Sequence, residues 1–392
     1  MRKRIKLSAC VLTIFLLCSC ADVPENLSSK NETQIAESSS DDNIEMMSLS
    51  EISENKTRMI ENILSEKFDN ITFPDELDFY IPEEIGEYSI VCIDGFQNKS
   101  ELLFNEYVPK EILESCEIID DLNTYPYGPY VKGDEKDFYC GIGCTGFFAL
   151  CYMESVTLRI PYDVEAEKTL YTALSAPGSC EGFDVSPALL KENADSFASD
   201  FARLAGSGMT YSSDSISSYN IDGCGKFYHV DLRSCYKGLS IFDILTSEDD
   251  SIRPVLTCGD GSVVLDPSGK VQSLIIDNSF ESYGEGKAAD KIVSPQSAAA
   301  AISRKLSGNL DYDVLGMQLV YIPTYEKNIE TVPDGEKTRR EKFPWSWGST
   351  PCSYDVFKLT PYWVFIFNIT PDHEIIGFVN AIDGSTEFIK RH

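Results

Sequence analysis

Apolar residues recur at helical spacing in a segment that begins at Ser186-Pro187. They are Leu190, Ala194, Phe197, Phe201 and Leu204, at steps of four, three, four and three residues. Serine can cap the free amide groups at the start of a helix, and proline suits its first turn. Gly206 follows the last apolar position. The pattern therefore predicts an amphipathic helix over residues 186–206.

The same pattern returns 108 residues later. Ser294-Pro295 opens a second segment, which runs through an alanine-rich stretch at 298–301 to Ile302, Leu306 and Gly308. Only strand-like sequence follows each predicted helix. These strand candidates are residues 227–232, 239–244, 263–265 and 271–276 after the first helix, and 314–322, 362–369 and 375–382 after the second.

Turn signals lie between these strand candidates. They are Asp260-Gly261, Asp266-Pro267-Ser268-Gly269 and Asp383-Gly384. Apolar Met317, Leu319 and Tyr321 alternate with Gln318, which is typical of a sheet with one covered face. A helix followed by an antiparallel meander, found twice, predicts an α+β fold with two tandem helix-plus-antiparallel-meander modules. Their predicted bounds are 183–290 and 291–392.

An N-terminal α+β region is predicted over residues 51–182. It begins with a helix over 51–68, in which Ile52, Met59 and Ile63 recur near helical spacing. Strand candidates follow at 88–92, 146–153 and 156–160, separated by loops rich in Pro, Gly and Asp.

The first nineteen residues have the pattern of a signal peptide. Four basic residues at positions 2, 3, 4 and 6 precede an apolar stretch, 7–17, that is interrupted only by Ser8 and Thr13. As a helix this stretch would rise roughly 16 Å, about half the hydrocarbon thickness of a bilayer. It therefore predicts a cleaved export signal, residues 1–19.

Leu17-Cys18-Ser19-Cys20 resembles the lipobox of bacterial lipoproteins, with leucine at −3, a small residue at −1 and cysteine at +1. The resemblance implies that the Cys20 sulfur receives a diacylglycerol and that Cys20 becomes the first mature residue. Cys18 fits less well, because Leu17 would then occupy the −1 position. An ordinary secretory signal that contains cysteines is the alternative. The predicted location is the extracytoplasmic face of the cell membrane, with the lipid as anchor.

Residues 20–50 are rich in Ser, Asn, Asp and Glu and contain no aromatic side chain. Such a segment buries too little apolar surface to offset its chain entropy, so we predict a disordered tether. A tether of this length would hold the body on the order of 30 Å from the anchor. No later stretch has eighteen uninterrupted apolar residues, so the sequence predicts no transmembrane helix.

The chain is strongly acidic. Removal of the four basic residues of the signal peptide takes the net charge from −30 to −34. Nucleic acid and anionic lipid would both be repelled, which argues against either as a partner. The same composition also serves the solubility of a surface protein.

The second module resembles known extracytoplasmic modules through four short motifs. They are Ser-Pro-Gln at 294–296, Gly-Met-Gln-Leu-Val-Tyr-Ile-Pro at 316–323, Leu-Thr-Pro-Tyr-Trp-Val-Phe at 359–365 and Phe-Val-Asn-Ala-Ile-Asp-Gly at 378–384. They resemble the C-terminal module of the YycH/YycI regulatory proteins and PepSY-like domains. The first module resembles, more loosely, the module that precedes the C-terminal module in those proteins.

This resemblance implies modules that act by binding, for instance by restraining a sensor kinase or a protease, without a catalytic group. This chain departs from YycH/YycI in having a lipid anchor where they have a transmembrane helix. It also has extra cysteines and an extra N-terminal region.

Ten cysteines lie beyond the signal region. They are Cys92, Cys116, Cys140, Cys144, Cys151, Cys180, Cys224, Cys235, Cys258 and Cys352. An even number in an exported protein favours disulfides, and free buried thiols are the alternative. Cys140-Gly-Ile-Gly-Cys144 with Cys151 could form a metal–thiolate cluster, but no second Cys pair has the paired spacing of a zinc knuckle. A local disulfide or inert thiols are favoured there.

Gly178-Ser-Cys180-Glu-Gly182 has the form of a hydrolase elbow with cysteine as the nucleophile. That mechanism needs a strand before the cysteine, a helix after it and a histidine base. Pro177 precedes the motif and the next helix starts only at residue 186, so a glycine-rich turn with a disulfide cysteine is favoured. Three histidines exist, and His229 lies in a strand pattern that predicts a packed or surface residue.

Trp345 and Trp347 lie in an irregular segment between strands. They could form an exposed patch for ligand contact with a glycan or peptide, or they could cover the end of the sheet, which is favoured. Trp363, inside a strand, is predicted to be core. The Asp-Gly sites lack the run of oxygen ligands of a calcium loop.

The sequence thus predicts a binding or regulatory lipoprotein with an envelope protein as partner and no cofactor, metal or catalytic residue. A surface cysteine hydrolase centred on Cys180 and a solute- or glycan-binding lipoprotein that uses Trp345 and Trp347 are the alternatives.

Overall fold

A computed structural model describes residues 44–66, 68, 70–75, 77–92, 99–116, 118, 130–133, 137–142, 148–157, 160, 166–171, 182–242, 261–276, 279–306, 310–329, 355–370 and 373–391. Within them the chain has an α+β fold, in which helices lie against two mainly antiparallel sheets. The helices are α1 (Leu49–Ser65), α2 (Ser100–Tyr107), α3 (Lys110–Leu113), α4 (Glu154–Thr157), α5 (Pro187–Ala205) and α6 (Pro295–Lys305).

The strands are β1 (Met46–Met47), β2 (Ile71–Thr72), β3 (Gly86–Cys92), β4 (Tyr130–Gly133), β5 (Phe138–Ile142), β6 (Phe148–Cys151), β7 (Lys168–Tyr171), β8 (Thr210–Ile221), β9 (Gly225–Tyr236), β10 (Leu239–Ser240), β11 (Gly261–Leu265), β12 (Val271–Ile276), β13 (Phe280–Ser282), β14 (Lys287–Ala288), β15 (Ile292–Val293), β16 (Tyr312–Asn328), β17 (Asp355–Thr370), β18 (His373–Asn380) and β19 (Thr386–Arg391).

Helix α5 covers one face of the first sheet. The strand order of that sheet is β4-β5-β6-β12-β11-β9-β8-β7, with β10 beside β9. The apolar stripe of α5 faces the strands, so Leu190, Ala194 and Phe201 are fully buried. Gly206 ends the helix with a φ of 71°, and the N–H of Ser207 donates to the carbonyl of Ala202 at 2.9 Å. Glycine adopts this left-handed conformation without a steric penalty.

Strand β17 is the centre of the second sheet. On one side it pairs with β16 along almost its whole length. On the other side it pairs with β3 over residues 356–359 and with β18 from residue 362 onwards. Pro361 lies where the partner changes, at a position where the missing N–H interrupts no ladder. Helices α1 and α6 cover one face of this sheet and share its core with Trp363.

The β9–β10 hairpin connects the two sheets. Tyr236, Leu239 and Ile241 belong to the core of the second sheet, although β9 is a strand of the first. The N–H of Phe242 donates to the carbonyl of Tyr321 in β16 at 2.7 Å. The two sheets therefore share side chains and main-chain contacts at this junction.

Several sequence predictions are confirmed. The α+β class holds, and the three predicted helices correspond to α1, α5 and α6 with ends that differ by up to three residues. The strand candidates at 88–92, 227–232, 271–276, 314–322, 362–369 and 375–382 overlap β3, β9, β12, β16, β17 and β18. The turns at residues 266–269 and 383–384 connect β11 to β12 and β18 to β19.

Two predictions are wrong. Residues 156–160, predicted as a strand, overlap the short helix α4, whose Val156 packs in a small apolar cluster with Ile160. The prediction of one covered face also fails for β16, because Val320 and Ile322 are buried on the face opposite Met317 and Leu319. The alternation of apolar and polar residues predicted strand β16 correctly. It did not indicate that both faces of this strand are covered.

The N-terminal segments are distributed over both sheets. Strands β4 to β7 belong to the first sheet, whereas α1, β2 and β3 belong to the second. Residues 44–50, assigned to the tether, contain β1 and the start of α1 instead. Ser48 and Glu51 form a capping box that starts this helix, and β1 pairs with β15. The module bounds at 182/183 and 290/291 stay predictions.

Candidate functional site

The face of the first sheet opposite α5 carries a group of hydrogen-bonding side chains, which we call the polar face. Residues on the α5 side of β9 are apolar, such as Val230 and Leu232, and side chains alternate along a strand. The residues between them therefore point to the other side. The polar face comprises Ser215, Ser217, His229, Asp231, Asp214 and Arg233.

A β-bulge at Asp214 builds this face. Ser213 is opposite Leu232 and Ser215 is opposite Asp231, so Asp214 is the extra residue in β8. Ser213 consequently faces α5, where its backbone N–H and its hydroxyl donate to Asp195 at 2.7 and 2.6 Å. Without the extra residue, Ser215 would face the same way as Ser213. The bulge turns it onto the polar face instead.

Asp231 is at the centre of the polar face. The Ser215 hydroxyl donates to one of its carboxylate oxygens. The other oxygen lies 3.4 Å from Nδ1 of His229. Burial lowers the pKa of His229 and the negative charge of Asp231 opposes this, with the net shift downward. The imidazole is therefore neutral at pH 7.

Charged and aromatic groups flank this centre. The Arg233 guanidinium contacts Asp214 Oδ1 at 2.7 Å and lies over the ring of Phe242, 5.2 Å from its centroid. At the other end, the ring of Tyr219 meets His229 edge to face at 6.4 Å. Ser215 and His229 are buried, whereas half of the Asp231 side chain, 50%, is exposed. The Asp231 carboxylate is therefore more accessible to solvent and to a partner than Ser215 and His229 are.

The geometry suits recognition better than catalysis. A serine nucleophile needs its hydroxyl directed at a base such as histidine. Here the Ser215 hydroxyl donates to Asp231, and His229 faces the same carboxylate. Among the described residues no hydroxyl is hydrogen-bonded to this imidazole. The face offers closely spaced donors and acceptors that are already held in place.

A second concave feature lies beside α5 and the β11–β12 turn. It is an open cleft of ≈ 790 Å³. Its main polar groups are engaged with each other or with the backbone, because Asn193 donates to the Gly269 carbonyl at 2.9 Å and Tyr152 to that of Tyr107 at 3.0 Å. Two polar side chains of the cleft are therefore engaged with the backbone.

Several residues singled out from the sequence lie outside the described part of the chain. They are Cys18, Cys20, Cys144, Cys180, Cys258, Cys352, Trp345 and Trp347. His229 is placed at the polar face, and Trp363 is core as predicted, with its indole N–H donating to the carbonyl of Val293 at 2.8 Å. In the described chain, no helix is long and apolar enough to cross a bilayer.

Two of the three cysteines considered for a metal–thiolate cluster, Cys140 and Cys151, are buried. Burial raises the pKa of Cys140, and burial also raises that of Cys151, to about 12. Cys151 pairs with Tyr139 across β5 and β6, so its side chain and that of Cys140 point to opposite faces. The described part of the chain contains no group of three ligands suited to a metal ion.

The described cysteines show no disulfide among themselves. Cys116, Cys140, Cys151, Cys224 and Cys235 carry free thiols. Disulfides that involve the cysteines outside the described residues stay a prediction.

Sequence reasoning missed the polar face because it missed β8. Residues 210–221 contain five serines and few apolar side chains, so hydrophobic alternation is weak there. Tyr211, Ile216, Tyr219 and Ile221 give the only apolar signal in this segment, and the bulge interrupts their alternation. A run of β-compatible residues before the Asp222-Gly223 turn was the remaining clue.

Comparison with known proteins supports the fold class. In sequence, the chain matches no protein family and no curated protein. In structure, it is similar to an uncharacterized protein from Eubacterium rectale ATCC 33656, with a TM-score of 0.54. The similarity covers 85% of this chain and 99% of that chain at 10% sequence identity. Identity this low shows a shared fold alone.

Proposed function

We propose that this protein is an extracytoplasmic lipoprotein, held on the cell membrane through lipid on Cys20, that acts by binding an envelope protein. The lipobox at residues 17–20 supports the location. The polar face supports the mode of action, because it presents fixed donors and acceptors without an activated nucleophile.

The order of elements supports a tandem arrangement of two related modules. Helix α5 is followed by β8, β9, β11 and β12 of the first sheet, and α6 by β16 to β19 of the second. We take the two as copies of one helix-plus-meander unit, as the resemblance to YycH/YycI and PepSY-like modules implies. Each sheet then recruits strands from the N-terminal region.

The charge of the chain supports a protein partner. A mature net charge of −34 disfavours nucleic acid and anionic lipid surfaces. At the polar face, Asp214 forms an ion pair with Arg233, and the half-exposed carboxylate of Asp231 lies beside His229. A partner segment with amide, hydroxyl or cationic groups would match this pattern.

Site-specific photo-crosslinking on intact cells tests the proposal. Ser262 in β11 is directly opposite Asp231 in β9. A photoreactive residue at Ser262 would therefore lie beside Asp231 and leave the polar face intact. We expect it to capture a discrete protein, and we expect capture to fall in an Asp231→Ala background. The matched control position is Asp200, an exposed residue on the α5 side. Equal capture from both positions, or none from Ser262, would contradict binding through this face.

A further inference from the structure

The turn between β9 and β10 has an unusual backbone. Its central residues, Lys237 and Gly238, both have positive φ angles, of 48° and 83°. Two such residues make the tight turn that matches the twist of a hairpin, and asparagine, aspartate or glycine usually occupy both positions. A lysine there is disfavoured and is retained only where its surroundings hold it.

The surroundings of Lys237 come from the second sheet. Its ammonium lies 2.6 Å from Glu84 Oε1 and 4.2 Å from the centroid of the Tyr88 ring. The Tyr88 hydroxyl donates to the same Glu84 oxygen at 2.7 Å. Glu84 and Tyr88 belong to β3 and the segment before it, so the ion pair and the cation–π contact both cross from one sheet to the other.

The residues on either side of Lys237 also contact the second sheet and the segment that precedes β3. A Cβ atom at Gly238 would lie 3.3 Å from the hydroxyl of Tyr80, in that segment. Tyr236, which precedes the turn, packs against the rings of Tyr88 and Tyr321 at 5.5 and 6.3 Å. The exposed turn is therefore anchored by Tyr236 before it and by the contacts of the Lys237 side chain.

We propose that the Lys237–Gly238 turn is a clasp that couples the two sheets, in which contacts with Glu84 and Tyr88 hold a lysine in a backbone conformation that it otherwise avoids. The hairpin needs a turn at this point, and glycine would satisfy the backbone at less cost. Lysine adds the contacts to the second sheet. The polar face lies on the same strand, β9, so the clasp also connects that face to the second sheet.

Hydrogen exchange of the full chain, measured by mass spectrometry, tests the clasp. Lys237→Gly relieves the backbone of the turn and removes the contacts to Glu84 and Tyr88. We expect exchange to accelerate about five- to thirty-fold in the second sheet, in peptides that cover residues 84–92 and 316–322. We expect little change in peptides of β11 and β12. Glu84→Gln tests the same contact from the other side and should accelerate exchange in the same peptides.

The control is Lys270→Gly, which makes the same substitution in the β11–β12 turn of the first sheet, at a residue without a positive φ. It should leave the exchange of the second sheet unchanged. The clasp is overturned if Lys237→Gly and Glu84→Gln leave exchange in residues 84–92 and 316–322 as it is in the wild type. It is also overturned if Lys270→Gly changes these peptides equally. If Lys237→Gly does not fold, the Glu84→Gln result decides.

Discussion

At the scale of single residues, the burial of His229 predicts how the free energy of unfolding depends on pH. Burial holds its pKa below the ordinary value of about 6.5. Below that pH the unfolded chain binds a proton that the folded protein does not, so the free energy of unfolding falls as the pH falls. The contribution is limited to about 1.4 kcal/mol per pH unit for one proton.

Chemical denaturation of wild type and His229→Gln between pH 7 and pH 5 measures this effect. We expect the wild type to lose more stability over this range than the variant, because the variant lacks the titrating group. Equal pH dependence in both proteins would show that His229 is protonated in the folded state as readily as in the unfolded chain.

A second prediction at this scale concerns the contribution of Trp363 to stability. Its ring is fully buried against Phe79, and its N–H satisfies the carbonyl of Val293. Trp363→Phe keeps most of the apolar contact and leaves that carbonyl without this donor, so we expect a loss of about 1–3 kcal/mol in the free energy of unfolding. Trp363→Ala should cost about 3–5 kcal/mol. Leu315→Ala, at an exposed position of the neighbouring strand, is the control and should cost less than either.

At the scale of elements, the three long helices α1, α5 and α6 could be predicted because their apolar stripes are visible in the sequence, whereas the shorter helices α2, α3 and α4 were missed. Strand β8 could not be predicted, because five of its 12 residues are serines and its apolar side chains are few. Ser213 bonds to Asp195 and Ser217 to Thr169, contacts that only the folded chain brings together. The candidate site was missed for a further reason. A single extra residue, Asp214, decides which face Ser215 occupies, and no periodicity reveals it.

The prediction at the scale of elements concerns the first residues of α5 and α6, where a Ser-Pro pair begins each helix. They look alike in sequence, yet only Ser294 accepts a hydrogen bond, from the N–H of Ser297 at 3.2 Å. Ser186 forms no side-chain cap. We expect Ser294→Ala to lower the free energy of unfolding by about 1 kcal/mol and Ser186→Ala to change it by less than about 0.5 kcal/mol. Thermal denaturation of the two variants side by side measures the difference. Equal losses would mean that the cap geometry of Ser294 does not contribute.

At the scale of the whole molecule, the chain enters the described body next to the second sheet. The N–H of Glu45 donates to Ser297 at 3.1 Å, its carbonyl accepts from the N–H of Ser294, and β1 pairs with β15. The predicted tether thus joins the body at the start of α6. The polar face belongs to the other sheet. The polar face and the point where the described chain begins therefore belong to different sheets.

The proposed location depends on the lipid anchor, which can be tested directly. Cys20→Ala removes the cysteine of the lipobox at residues 17–20. We expect this variant to lose incorporation of labelled palmitate and to keep its signal peptide, which intact-mass measurement detects. Cys18→Ser is the matched control, because it removes a neighbouring thiol and leaves the Cys20 position intact. It should be labelled and cleaved like the wild type. Labelling that survives in Cys20→Ala, or is lost in Cys18→Ser, would assign the lipid to a residue other than Cys20 and contradict the anchor site of the proposed function.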